Sequence, residues 1–172
     1  MGASGWSYRV DYDSDVGAAL GRLQRQVFTA GQYEQAWNQF GPEMRADMAR
    51  DLAEMAEMMG EELDPESVVR LTETGEPATI DEALMWAADS GTHSILDIAY
   101  GVADRPDFGY VTALDAASYQ RFFGTTQPTV EEVEAKLLEV DSFIEERWQG
   151  VYVVAYLDRE PVQLFFVGVS GD

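Results

Sequence analysis

The sequence predicts an α+β fold, a single domain over residues 1–172 in which a mainly antiparallel sheet with a C-terminal hairpin packs against several amphipathic helices. Three observations carry this expectation. Strand patterns stand at both ends of the chain, one alternating and the other two apolar throughout. The sequence between them is mainly helical in its apolar spacing and lacks the regular strand–helix alternation of a parallel α/β sheet. With 172 residues, 46 % of them hydrophobic and 12 % aromatic, the chain can bury a substantial core without disulfides.

Trp6, Tyr8, Val10 and Tyr12 alternate with Ser7, Arg9 and Asp11, the period of two of a half-buried strand, so these four side chains are expected to face the core. Asp15 can cap a helix with Val16, Ala19, Leu20, Leu23, Val27 and Phe28 at helical spacing, ending near Gly31. A second helix begins near Pro42 and runs to Gly60. Five of the seven methionines lie in it: Met44, Met48, Met55, Met58 and Met59. The side that carries most of them, with Leu52, fills a core seam or, if exposed, offers an adaptable contact surface. Asp64-Pro65 supplies a further N-cap, and Thr79 with Glu82 makes a capping box for Ile80 to Asp89, closed by Gly91.

Thr92 to Ala99 is short and apolar and reads as a strand. A loop around Asp104-Arg105-Pro106-Asp107 separates it from another short strand near Tyr110 to Ala113. Asp115 to Phe123 is a short helix. Thr129 with Glu132 opens a longer one, with Val133, Leu137, Val140 and Ile144 on one side and most of seven acids on the other. Val151 to Leu157 and Val162 to Val169 form a hairpin across Asp158-Arg159-Glu160-Pro161. Both runs are apolar on both faces, which places them inside the sheet.

The 32 acids against 11 bases give a formal charge of −21. Such a surface repels nucleic acid and anionic membranes, so neither is an expected partner. The absence of cysteine and the single histidine remove thiolate chemistry, Cys-based zinc and iron–sulfur sites, and any multi-histidine metal centre. The first six residues lack a secretion signal, Trp6 departs from the myristoylation pattern, and no apolar run is long enough for a membrane helix, so the expected location is the cytoplasm.

Asp11-x-Asp13-x-Asp15 resembles the start of a calcium loop, but Val16 and Arg22 stand where glycine and a bidentate glutamate are needed; a strand end followed by a helix cap accounts for it. No bound metal or cofactor is expected. His93 is the one imidazole for acid–base work near neutral pH, in Gly91-Thr92-His93-Ser94-Ile95-Leu96-Asp97. In a strand Ser94 faces away from His93, and Asp97 lies roughly 13 Å off at about 3.3 Å per residue, so no local triad forms there. A structural histidine is the plainer reading; the catalytic one joins His93 to carboxylates such as Asp97 and Asp107. Phosphate-loop motifs are absent, and with 32 acids a carboxylate pair at workable spacing carries no information.

Residues 61–120 hold 13 acids against 2 bases, while residues 1–60 hold 9 against 5. A field concentrated in this way speeds encounters with cationic proteins, though solubility or salt tolerance would also select it. The expected function is therefore an acidic protein-binding module, an immunity protein or antitoxin-like inhibitor of a basic toxin or of an enzyme acting on nucleic acid or nucleotides. Glu61, Glu62, Asp64 and Glu66 are the candidate charged contacts, and Trp37 and Trp86 the candidate anchors. The alternative is a small enzyme or ligand-binding protein using His93. Gly2-Ala3-Ser4-Gly5-Trp6, Gly91 to Ile98, Phe123-Gly124-Thr125-Thr126 and Gly168 to Asp172 together resemble a group of small acidic bacterial proteins of actinobacterial type. The resemblance covers almost the whole chain, implies a cytoplasmic bacterial protein and brings no known activity or catalytic residue.

Overall fold

The two apolar runs at the end of the chain form β4 (Gln149–Leu157) and β5 (Glu160–Val169), joined by Asp158 and Arg159 with φ of 50° and 70°. Positive φ at both turn residues matches the right-handed twist of the flanking strands. Pro161, which has no N–H to give to a ladder, stands opposite Tyr156, where the register shifts. The computed structural model describes residues 4–34, 41–59, 77–141, 144 and 146–171.

In these residues one sheet has the order β1-β5-β4-β3-β2, with β1 at Gly5–Asp11, β2 at Gly101–Ala103 and β3 at Tyr110–Ala113. β1 pairs antiparallel with β5 from Gly5↔Val169 to Asp11↔Gln163, and β4 pairs antiparallel with β5. β3 runs parallel to β4 and β2 parallel to β3, so the shorter strands on that side depart from the antiparallel pattern. Parallel neighbours normally need a long crossover. Residues 104–109 suffice between β2 and β3 because a strand of 3 residues requires a return of only about 10 Å.

Alternation along β5 sends Leu164 and Phe166 to one face and Phe165 and Val167 to the other. The first face is covered by α1 (Val16–Ala30), α3 (Ile80–Ser90) and a 3₁₀ turn at Ile95–Asp97. The second is covered by α4 (Ala116–Phe123), α5 (Val130–Glu134) and α6 (Leu137–Asp141). The α+β class and the central hairpin are as the sequence predicts. The caps also form: Asp15 accepts from Ala18 N, Gly31 takes the left-handed conformation with φ of 63°, and Thr129 with Glu132 completes a capping box. At α3 the Thr79 hydroxyl accepts from Glu82 N, while the Glu82 carboxylate takes Ala78 N.

Three expectations are corrected. Thr92–Ala99 is a buried loop containing the 3₁₀ turn, since positive φ at Gly91 and His93 breaks the extended run and the Ser94 side chain caps Leu96 N. The helix expected after Thr129 is divided into α5 and α6, although Val133 and Val140, seven residues apart, still reach the core. Trp6 is buried and Tyr8 and Val10 partly so, but Tyr12 lies beyond β1 and is exposed. The second helix, α2 (Pro42–Met59), is present with Met44 exposed; the side chains of Met48, Leu52, Met55, Met58 and Met59 and the Asp64-Pro65 cap lie outside the described residues. No described helix is long and apolar enough to cross a membrane.

Gly168 faces Trp6 across the β1–β5 pair, and a Cβ there would sit 2.1 Å from the indole. Phe166 is fully buried against the first helical layer. Phe166→Ala should therefore lower unfolding free energy by roughly 3–5 kcal/mol, and Gly168→Ala by about 1–3 kcal/mol, in urea denaturation followed by circular dichroism. A loss below about 1 kcal/mol for Phe166→Ala would contradict the central placement of the hairpin.

Candidate functional site

The loop after α3 brings Thr92, Ser94 and Asp97 into the interior. Asp97 Oδ1 accepts from Thr92 N at 2.6 Å and from Thr92 Oγ1 at 2.7 Å. The Thr92 hydroxyl proton is thus committed, so Ser94 Oγ donates to Thr92 Oγ1 at 2.8 Å while accepting from Leu96 N at 3.2 Å. From α1, the buried Gln24 donates through Nε2 to Ile98 O at 2.7 Å and fixes the loop to that helix. These bonds satisfy backbone groups that a sheet would otherwise pair.

Burial pushes the Asp97 carboxyl up to about 6, against the opposing effect of Thr92, Ser170 and the Ser94 backbone. Its Oδ2 is sealed from solvent and has no partner in hydrogen-bond geometry among the described residues, although the Ser170 hydroxyl is near enough to favour the anion. Burial also raises the Tyr8 phenol, with the nearby Asp97 charge adding to the effect.

His93 has φ of 52°, a left-handed conformation, and its N–H donates to Ser170 Oγ at 3.3 Å. Ser4 Oγ bonds Nδ1, and Glu34 Oε2 lies 3.5 Å from Nε2. Glu34 is held near the loop by its own N–H, which donates to Thr92 O at 2.9 Å. With the ring proton on Nε2, Nδ1 accepts from the Ser4 hydroxyl and the Nε2 N–H faces the Glu34 carboxylate. The sequence hydroxyl, imidazole, carboxylate can draw a proton from Ser4.

The residues named for a catalytic reading are thus engaged separately. His93 meets Ser4 and Glu34, Asp97 meets Thr92, and Asp107 stands on the exposed loop after β2 with Oδ1 accepting from Phe108 N. Ser4 lies 89 residues from His93 and Ser170 lies 77 away, so no local spacing announces either. Among the partner-binding candidates, Trp86 is half-buried on α3 beside the exposed Met85. Trp37, Glu61, Glu62, Asp64 and Glu66 lie outside the described residues.

Asp13 in the calcium-like stretch accepts from Asp15 N and pairs with Arg22 at 2.6 Å, which together hold its carboxyl below the usual range. Among the described residues no group of three or more carboxylates or imidazoles could hold a metal. A cleft of about 480 Å³ between β1 and α1 is lined by Arg9, Arg22, Gln26 and Gln163, and another of about 460 Å³ by Pro106, Thr112, Ile144 and Glu146. His93 lines neither. Both arginines of the first cleft are already paired, Arg9 with Glu134 and Arg22 with Asp13.

The raised Asp97 carboxyl has a defined consequence for stability. The unfolded chain ionises this residue first, so its contribution falls as pH rises from about 4 through about 6. Asp97→Asn retains an Oδ1 acceptor for Thr92 and removes the ionisation. Relative to wild type, its unfolding free energy should rise by roughly 2–3 kcal/mol between about pH 4 and pH 7 and then level off. Urea denaturation of both proteins across that range checks this, and a difference independent of pH would refute it.

No protein-family model, curated protein or solved structure matches this chain.

Proposed function

We propose that the protein is an acidic binding module that neutralises a basic protein in the cytoplasm, an immunity protein or antitoxin-like inhibitor of a toxin or enzyme acting on nucleic acid or nucleotides. The observation that carries this reading is the formal charge of −21 on a chain with a well-formed apolar core. A nucleic-acid-acting enzyme presents arginine and lysine for phosphates, and a compact acidic surface can occupy the same ground by charge complementarity. Asp81, Asp104, Asp107, Asp115 and Glu131 are all exposed.

A small enzyme built on His93 is the second reading, favoured by the Ser4–His93–Glu34 arrangement. If it holds, a fluorophosphonate should label Ser4, and His93→Ala should abolish the labelling; intact protein that takes no label at Ser4 would exclude it.

For the binding reading, a basic protein captured from the native organism and produced alone should associate quickly at low salt and more slowly as ionic strength rises. The Debye length of about 8 Å at physiological salt removes the long-range attraction. Changing Glu61, Glu62, Asp64 and Glu66 together to lysine should lower the association rate at least tenfold at low salt. Stopped-flow measurement decides it: a neutral or acidic native partner, or an unchanged rate in the variant, would contradict the proposal.

A further inference from the structure

The outermost strand β2 ends the sheet, and among the described residues no strand pairs with its outer edge. Tyr100 N–H donates inward to Gly109 O at 2.9 Å. Gly101, with φ of 99°, interrupts the alternation after Tyr100. Leu114 N–H donates to Tyr152 O at 3.0 Å, so alternation along β3 turns Val111 and Ala113 toward β2, and the parallel register sets Gly101 and Ala103 against them. The N–H and C=O groups of Val102 are left facing outward, ready for another chain.

Beside this edge, Tyr100 is 56 % exposed, Phe108 39 % and Val102 38 %. Single exposed apolar side chains are ordinary, but the rings of Tyr100 and Phe108 lie together. The Tyr100 ring lies 6.1 Å from Phe108 and 5.6 Å from Tyr110, and Phe108 lies 5.2 Å from Trp148, whose Nε1 is anchored on Ala87 O at 2.7 Å. Gly109, with φ of 73°, lets the Tyr100 ring lie on its backbone: a Cβ there would come within 2.5 Å of the ring. The aromatic surface is consequently exposed yet held in place, which lowers the ordering cost of binding. Its border is charged, with Asp104 and Asp107 exposed on the adjoining loop and Arg105 the one base between them.

We propose that this edge, from Tyr100 to Phe108, receives an extended, arginine-bearing segment of the basic partner, which adds a strand to β2 and lays a guanidinium against Tyr100 and Phe108 near the two aspartates. The proposal rests on the binding reading above and deepens it by naming the surface. The outward N–H and C=O of Val102 supply main-chain bonds, the ring faces supply cation–π contact, and the carboxylates supply charge-assisted hydrogen bonds. A guanidinium, planar and weakly hydrated, suits an aromatic face better than an ammonium does.

The test titrates ¹⁵N-labelled protein at low salt with the acetylated, amidated peptide Arg-Val-Arg-Val-Arg-Val-Arg, and separately with its all-lysine and all-glutamate counterparts. The arginine peptide should shift the amide resonances of Gly101, Val102, Ala103 and Phe108 and slow the hydrogen exchange of Val102. It should bind several-fold more tightly than the lysine peptide, while the glutamate peptide should not bind. Tyr100→Ala with Phe108→Ala should weaken the arginine peptide at least tenfold, Tyr100→Phe should retain binding, and Asp104→Asn with Asp107→Asn should weaken it chiefly at low salt. Circular dichroism confirms that each variant is folded. If both cationic peptides bind elsewhere on the chain, this surface is wrong and the binding reading stands. If neither binds anywhere at low salt, the binding reading fails together with the surface.

Discussion

The hairpin of β4 and β5 carries large apolar side chains on both faces, Phe165 toward one layer and Phe166 toward the other, and such strands are stable only when both faces are covered. The rest of the architecture answers this requirement. α1, α3 and the loop with the 3₁₀ turn close one face, and α4 to α6 close the other. β1 and β3 take the two outer edges of the hairpin, which leaves the sheet to end at β1 on one side and at the very short β2 on the other. The close fit of Trp6 on Gly168 ties the N-terminal strand to that centre.

Covering the first face with a loop instead of a third helix has an electrostatic cost. The loop buries Asp97, and its carboxyl is held by Thr92 and shadowed by Ser170, with no base paired to it among the described residues. The same bonds fix the backbone so that Ile95, Leu96 and Ile98 can fill the core and His93 can reach Ser4 and Glu34 at the surface. The Gly91–Ile98 segment therefore joins a structural task with the one imidazole in the chain.

The charge is arranged independently of this interior. Exposed carboxylates contribute little to the fold singly and much to the long-range field. The aromatic group at β2 is different in kind, since its rings are seated on Gly109 and Trp148 while remaining open to solvent. An acidic field with a fixed apolar point within it provides both steering and anchoring, which act respectively on association and dissociation.

The sequence by itself determined the class of fold, the hairpin and the caps at Asp15, Thr79 and Thr129, because alternation, two-sided apolarity and capping are local patterns that the backbone reads directly. It also determined the charge. Whether Thr92–Ala99 would be a strand was decided by tertiary structure: its apolar residues suit a strand or a buried loop equally, and the bonds from Gln24 and Asp97 favour the loop. The division of the helix after Thr129 was hidden for a related reason, since Val133 and Val140 keep the same burial on either side of the break. Ser4, Glu34 and Ser170 came to His93 only through folding, and Tyr100, Phe108 and Trp148 came together only where three chain segments meet. Contacts between residues so far apart in the chain leave no period or spacing, because the geometry that joins them exists only once the sheet and its two helical layers are assembled.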